Sequence, residues 1–148
     1  GLEKHFATGN ISYEPANHAL MVATRAAKIA AIVEDIPLQS IMGQATGELL
    51  VVGWGGTRGH IESAVSQMQA MGFSVSHCHL NYLNPLPKNV EQIFAGFKRI
   101  LVCELNEGQA ASYLQGLFPQ FVFERFNKVE GQPFTVAELL NAFNEKLS

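Results

Sequence analysis

Apolar positions along the 148 residues follow two alternating periods, and that alternation predicts the fold. Residues 1–13 are polar and irregular. Behind Pro15, a residue suited to a first helical turn, Val22, Ala26, Ile29, Ala30 and Val33 recur at helical spacing until Pro37 ends the run. Glu48–Gly53 is a short apolar run entering glycine, which reads as a strand buried on both faces. Ile61, Ala64, Val65, Met68 and Met71 restore the helical period, with Gly72 as a stop. Phe73–Leu80 is a second strand, and Asn84-Pro85-Leu86-Pro87 is a turn.

The alternation continues to the end. Val90, Ile93, Phe94 and Phe97 mark a short helix, and Ile100–Glu104 a third strand. Ala110, Tyr113, Leu114 and Leu117 mark the next helix, and Phe121–Phe126 a fourth strand. Thr135-Val136-Ala137-Glu138 is a capping box opening a last helix with Val136, Leu139, Leu140, Phe143 and Leu147 on its apolar face. Each such side chain, once buried, stabilises by about 1.5–3 kcal/mol, so this helix is expected to dock. Strands alternating with helices predict an α/β fold with a mostly parallel sheet and helices on both faces.

Composition narrows the function classes. Hydrophobic residues make up 47% and charged residues 16%, the balance of an ordinary globular domain. Net charge is −3 with scattered Lys and Arg, which argues against a nucleic-acid partner. No apolar stretch is long enough to cross a membrane. Cys78 and Cys103 form no CxxC pair and read as reduced, buried thiols of a cytoplasmic protein, a disulfide between them being the less favoured alternative. An opening Gly1 in place of Met suggests a piece of something longer.

Three places could carry chemistry. Gly53-Trp54-Gly55-Gly56-Thr57-Arg58-Gly59 joins a strand to a helix, where backbone N–H groups attract anions. The dinucleotide fingerprint fails there, because Arg58 occupies the third glycine position and no acidic residue closes the next strand. A tight turn with Trp54 as packing anchor is one reading; an anion or partner contact through Gly55, Gly56, Thr57 and Arg58 is the other. In His77-Cys78-His79 both histidines share a face opposite the cysteine, so strand-end histidines bonded to a neighbouring loop are favoured over a metal site. In Glu104-Leu105-Asn106-Glu107-Gly108-Gln109, Asn106 reads as a turn and cap residue and Gln109 as an interface candidate. Glu104 is the carboxylate with a possible functional role, although no base or nucleophile pairs with it. His5 and His18 read as solvated or capping. No catalytic residue and no metal ligand is assigned.

Five blocks in series carry a resemblance. They are Gly1-Leu2-Glu3 with Tyr13-Glu14-Pro15, Asn17-His18, Arg25-Ala26 and Lys28; LLVVGWGGTRGHIESAV at 49–65; HLNYLNPLPKN at 79–89; LVCELNEGQ at 101–109; and NKVEGQPF at 127–134. In order and spacing they resemble the alpha subunits of 2-oxoacid:ferredoxin oxidoreductases, particularly the 2-oxoglutarate type. Lys4-His5, Gly56-Thr57-Arg58 and Cys103 depart from that pattern.

The resemblance implies a transketolase C-terminal-like domain at 41–148, preceded by a leading segment and linker helix at 1–40. It implies a three-layer α/β/α arrangement with a mixed sheet of about five strands, one of them an antiparallel edge. The family decarboxylates a 2-oxoacid oxidatively to an acyl-coenzyme A and passes electrons to ferredoxin. It uses thiamine diphosphate, magnesium, an iron–sulfur cluster and coenzyme A. None of these maps onto residues 1–148, so the isolated domain is expected to be inactive and to serve packing and subunit assembly. Its implied partners are the rest of the alpha subunit, the beta subunit and, through the holoenzyme, ferredoxin. An exposed apolar patch is expected where a partner docks, at the sheet edge or on the face carrying Trp54 or Tyr82. The alternative is a small-molecule module holding a nucleotide or coenzyme A phosphate on the Gly53–Gly59 loop.

Overall fold

Four apolar strands alternating with helices build the larger of two compact units in the computed structural model, which describes residues 2–148. Gly1, the first residue of the opening block, lies outside the described residues. The larger unit comprises Leu38–Asn81 and Lys88–Ser148; the smaller runs to Pro37 and takes in Tyr82–Pro87.

The smaller unit contains α1 (Pro15–Ala31), with Pro15 at its first position, followed by a single 3-10 turn, Ile32–Glu34. Before α1 the leading segment doubles back through an antiparallel bridge between Lys4 and Ile11. Asn17, the one buried residue of α1, fastens it: its Oδ1 accepts from Phe6 N at 2.9 Å and its Nδ2 donates to Lys4 O at 2.8 Å. Arg25 donates both terminal nitrogens to Glu3, and His18 Nδ1 sits 3.0 Å from the same carboxylate. The Arg25 guanidinium above all holds Glu3 down to about 2. On the apolar stripe of α1, Val22 and Ile29 are 47% and 45% exposed.

In the larger unit β1 (Gly47–Trp54), β2 (Val75–Leu80), β3 (Phe97–Glu104) and β4 (Phe123–Asn127) form one sheet in the order β2-β1-β3-β4. Every pairing is parallel. Continuous burial along β1 and β2 follows from helices on both faces. On one face α2 (Arg58–Ala70) and α5 (Val136–Leu147) place Ile61, Val65, Met68, Leu139 and Phe143 against Leu49, Val51 and Leu101. On the other lie α3 (Val90–Ala95) and α4 (Gln109–Leu117), where Phe94 meets Phe118, Phe121 and Phe123 edge-on at 5.2–6.0 Å. The capping box of α5 forms as its residues predict: Thr135 Oγ1 accepts from Glu138 N, and Thr135 N donates to Glu138 Oε2.

Two sequence expectations need correction. The sheet has four strands, not five, and among the described residues no antiparallel edge strand. A single antiparallel bridge, Met42 with His77, stands at the β2 edge instead. Immediately after it Gly43, at φ 110°, turns the chain away. The second correction concerns Phe97, which opens β3 instead of closing the preceding helix, because Gly96 ends α3 two turns after it starts.

Candidate functional site

The carboxyl ends of β1 and β3 carry most of the residues that the sequence singles out. After Trp54 the chain enters a 3-10 turn, Gly55–Thr57, with Gly55 at φ 59°, before α2 begins at Arg58. Thr57 is buried, and its hydroxyl donates to Trp54 O at 2.9 Å. Arg58 Nε donates to Glu62 Oε1 at 2.8 Å, one helical turn on. Among the loop's glycines, Gly55, Gly56 and Gly59 face open space and Gly53 does not.

Glu104 is wholly buried at the end of β3 and receives three hydrogen bonds. Ala110 N donates to its Oε2 at 2.8 Å, Ala111 N to its Oε1 at 2.9 Å, and Trp54 Nε1 to its Oε2 at 3.2 Å. Two of those donors are first-turn amides of α4, so the carboxylate terminates that helix where its dipole favours negative charge. Asn106 has the turn role its residue type predicts: its Oδ1 accepts from Gly108 N at 2.7 Å and Gln109 N at 3.2 Å. Gln109 is thus held by its main chain as the first residue of α4.

In the strand order β2-β1-β3-β4, successive connections leave in opposite directions between β1 and β3. Open α/β sheets bind ligands at such a switch point. Here a crevice of about 160 Å³ is lined by Trp54, Gly55, Gly56, Thr57, Leu105 and Asn106. The Trp54–Glu104 bond spans the two strand ends beneath it.

Beyond β2 a second cleft, of about 120 Å³, is lined by residues including Gln39, Arg58, Glu62, His77, His79 and Asn81. The two imidazoles share a face, as strand alternation requires, with ring centroids 5.6 Å apart. His77 Nε2 and His79 Nδ1 are buried without hydrogen-bond partners. Burial first, and the neighbouring His79 second, push His77 down to about 4. His79 is also lowered, by burial and then by Arg58, with a Gly55 backbone bond opposing. Gly53 makes room for this pair: a Cβ there would lie 2.5 Å from Ile61 Cδ1 and 3.4 Å from His77 Nε2. Sequence reading placed both histidines on one face but missed Glu62, whose signal was its position four residues after Arg58.

The donor set does not fit the metal groups that the family resemblance brings to mind. Among the described residues no group of three or more His, Cys, Asp or Glu could hold a metal ion. Cys78 shares a face with Val52 and Cys103 the opposite face with Val51 and Leu101, and both are free. Burial pushes Cys78 up to about 12 and Cys103 higher still, so neither offers a thiolate.

The chain matches no protein-family model. It is 41% identical over 140 residues to the 2-oxoglutarate oxidoreductase subunit KorA of Mycobacterium tuberculosis, covering 94% of this chain and 21% of that protein. It is 29% identical over 139 residues to the alpha subunit of 2-oxoacid:ferredoxin oxidoreductase 1 of Aeropyrum pernix, covering 89% of this chain and 22% of that one. The chain therefore spans about a fifth of the length of the curated relatives it matches. Among solved structures, the 2-oxoglutarate:ferredoxin oxidoreductase of Magnetococcus marinus, with 2-oxoglutarate, coenzyme A and succinyl-CoA bound, superposes with a TM-score of 0.90 at 25% identity. That match covers 98% of this chain and 26% of the other. A split-gene transketolase shares the fold, with a TM-score of 0.57 at 13% identity over 74% of this chain and 41% of that one.

Proposed function

Because the chain is homologous to a stretch of 2-oxoacid:ferredoxin oxidoreductase alpha subunits, we propose that it is the C-terminal, transketolase-like domain of such a subunit. In this reading the parent enzyme decarboxylates a 2-oxoacid, 2-oxoglutarate foremost, to an acyl-coenzyme A and passes the electrons to ferredoxin. Thiamine diphosphate supplies the carbanion chemistry when bound, and a protein's part in such chemistry is to orient the cofactor. Thiamine diphosphate, magnesium and the iron–sulfur cluster sit outside this domain, which packs against the rest of the alpha subunit and the beta subunit.

The observation that carries this reading is the use the fold makes of its polar groups. Glu104, the one carboxylate at the carboxyl edge with a candidate role, spends both oxygens on α4 and Trp54. Thr57, Arg58 and Asn106 are likewise engaged within a few residues of their own positions. What remains is a scaffold. The test compares this chain alone with the complete alpha and beta subunits in 2-oxoglutarate- and coenzyme A-dependent reduction of ferredoxin. Reduction by the complete assembly and none by the chain alone is expected; turnover by the chain alone would overturn the reading.

One observation favours a second reading, a phosphate contact at the switch point: Gly55 and Gly56 line the crevice and face open space. Calorimetric titration of the chain with coenzyme A decides it, and absence of heat at millimolar ligand ends it.

A further inference from the structure

The helix α1 has an apolar face that nothing in its own compact unit covers. Its 17 residues hold seven alanines and four larger aliphatic side chains, against two cations and a histidine. Ala19, Ala23, Ala26 and Ala30 recur at i, i+4, i+7 and i+11, which places them in one row. Leu20, Val22 and Ile29 border that row, and all seven residues are exposed. Asn17, which bonds the leading segment, and Lys28 lie opposite the alanine row, whereas His18 and Arg25, which bond Glu3, stand in one row with Val22 and Ile29 along its edge. A helix of this length without a packed face is marginal in water, since most helical stability in proteins comes from tertiary packing. An uncharged face built of alanine also costs little to desolvate and lets a second helix approach to about 8 Å.

We infer that the Ala19–Ala30 face of α1 is the seat of another helix of the same alpha subunit, from the part of the subunit that this chain does not include. The length of that part argues for it. In the Magnetococcus marinus enzyme the region matching 98% of this chain, α1 included, is 26% of a longer polypeptide. The occupant must present larger apolar side chains, because a row of alanines forms a shallow groove that only knobs from the partner fill. This placement rests on reading the chain as one part of an alpha subunit. It differs from the expected patch at the sheet edge or near Trp54 and Tyr82: Trp54 is half-buried with its indole bonded, and Tyr82 stands as a single exposed ring.

Hydrogen exchange of the α1 amides, compared between this chain and the full-length alpha subunit with its beta subunit, tests the seat without any substitution. At least a tenfold slowing in the full-length subunit is expected; equal exchange in the two overturns the inference. In the full-length subunit Ala26→Glu, which keeps helix propensity, should restore fast exchange in α1. Lys28→Glu, on the bonded side, should leave the protection intact. A parental exchange rate in Ala26→Glu overturns the inference. So does a concentration-dependent dimer of this chain that Ala26→Glu dissolves, since the occupant is then a second copy. Ferredoxin reduction by the wild-type assembly is scored separately. Protection of α1 without reduction sinks the functional reading and leaves the seat standing.

Discussion

Replacing Glu104 with Ala separates a structural carboxylate from a functional one, because the two roles predict opposite signs. A carboxylate kept for binding or catalysis is a stability liability, and removing it commonly stabilises the fold. Glu104 instead satisfies Ala110 N, Ala111 N and Trp54 Nε1 while wholly buried. Stripping a buried donor of its partner costs about 1–3 kcal/mol, and the helix end loses about 0.3–1 kcal/mol of dipole compensation. These contributions are not additive, since water entering the hole recovers part of them. A net loss of about 3–5 kcal/mol is expected. With a urea slope of about 2 kcal/mol per molar, the unfolding midpoint falls by about 1.5–2.5 M. Trp54 is the one tryptophan of the chain, so its fluorescence follows the bond in question while far-UV circular dichroism follows the fold. Glu104→Gln keeps the shape and one acceptor and should lose about half as much. An Ala variant within about 0.5 kcal/mol of the parent, or above it, refutes the role given to Glu104 here.

Two further predictions concern the face beneath α2. His77 is held down to about 4 against an ordinary 6.5, so the unfolded chain takes up its proton first. Its contribution is complete above pH 6.5 and is lost as pH falls toward 4, reaching about 3 kcal/mol; a His77→Leu variant with an undiminished slope of unfolding free energy between those values contradicts this. Gly53→Ala places a methyl 2.5 Å from Ile61 Cδ1 and 2.8 Å from Thr57 Oγ1, in a region already filled. Overpacking there should cost about 1–3 kcal/mol in thermal unfolding, and an unchanged melting temperature would show that the pocket yields.

Strand runs such as Leu49–Val52 and the period of Ile61, Ala64, Val65 and Met68 were legible because all of them are buried, and burial is what an apolar pattern records. The stripe of α1 was legible as a helix but not as an uncovered one, since a pattern states that a face is apolar without naming what lies on it. The role of Asn106 could be read because its partners are two and three residues away. That of Glu104 could not: Trp54 is 50 residues distant, and main-chain donors leave no mark in sequence. The pairing of His77 with His79 follows from alternation, whereas their missing partners depend on how α2 and the Gln39–Met42 segment close around them. Phe97 went to the wrong element because a buried aromatic at the junction of α3 and β3 fits either period.

The two thiols have a practical consequence. Cys78 and Cys103 face opposite sides of the sheet, and burial both hides each thiol and pushes it up, away from the thiolate that maleimide coupling needs. The native chain therefore presents no reactive sulfur to a reagent in solution. A cysteine introduced at an exposed α1 position such as Ala30 becomes the sole attachment point, so a spin label or dye can be placed there without first removing the natural pair.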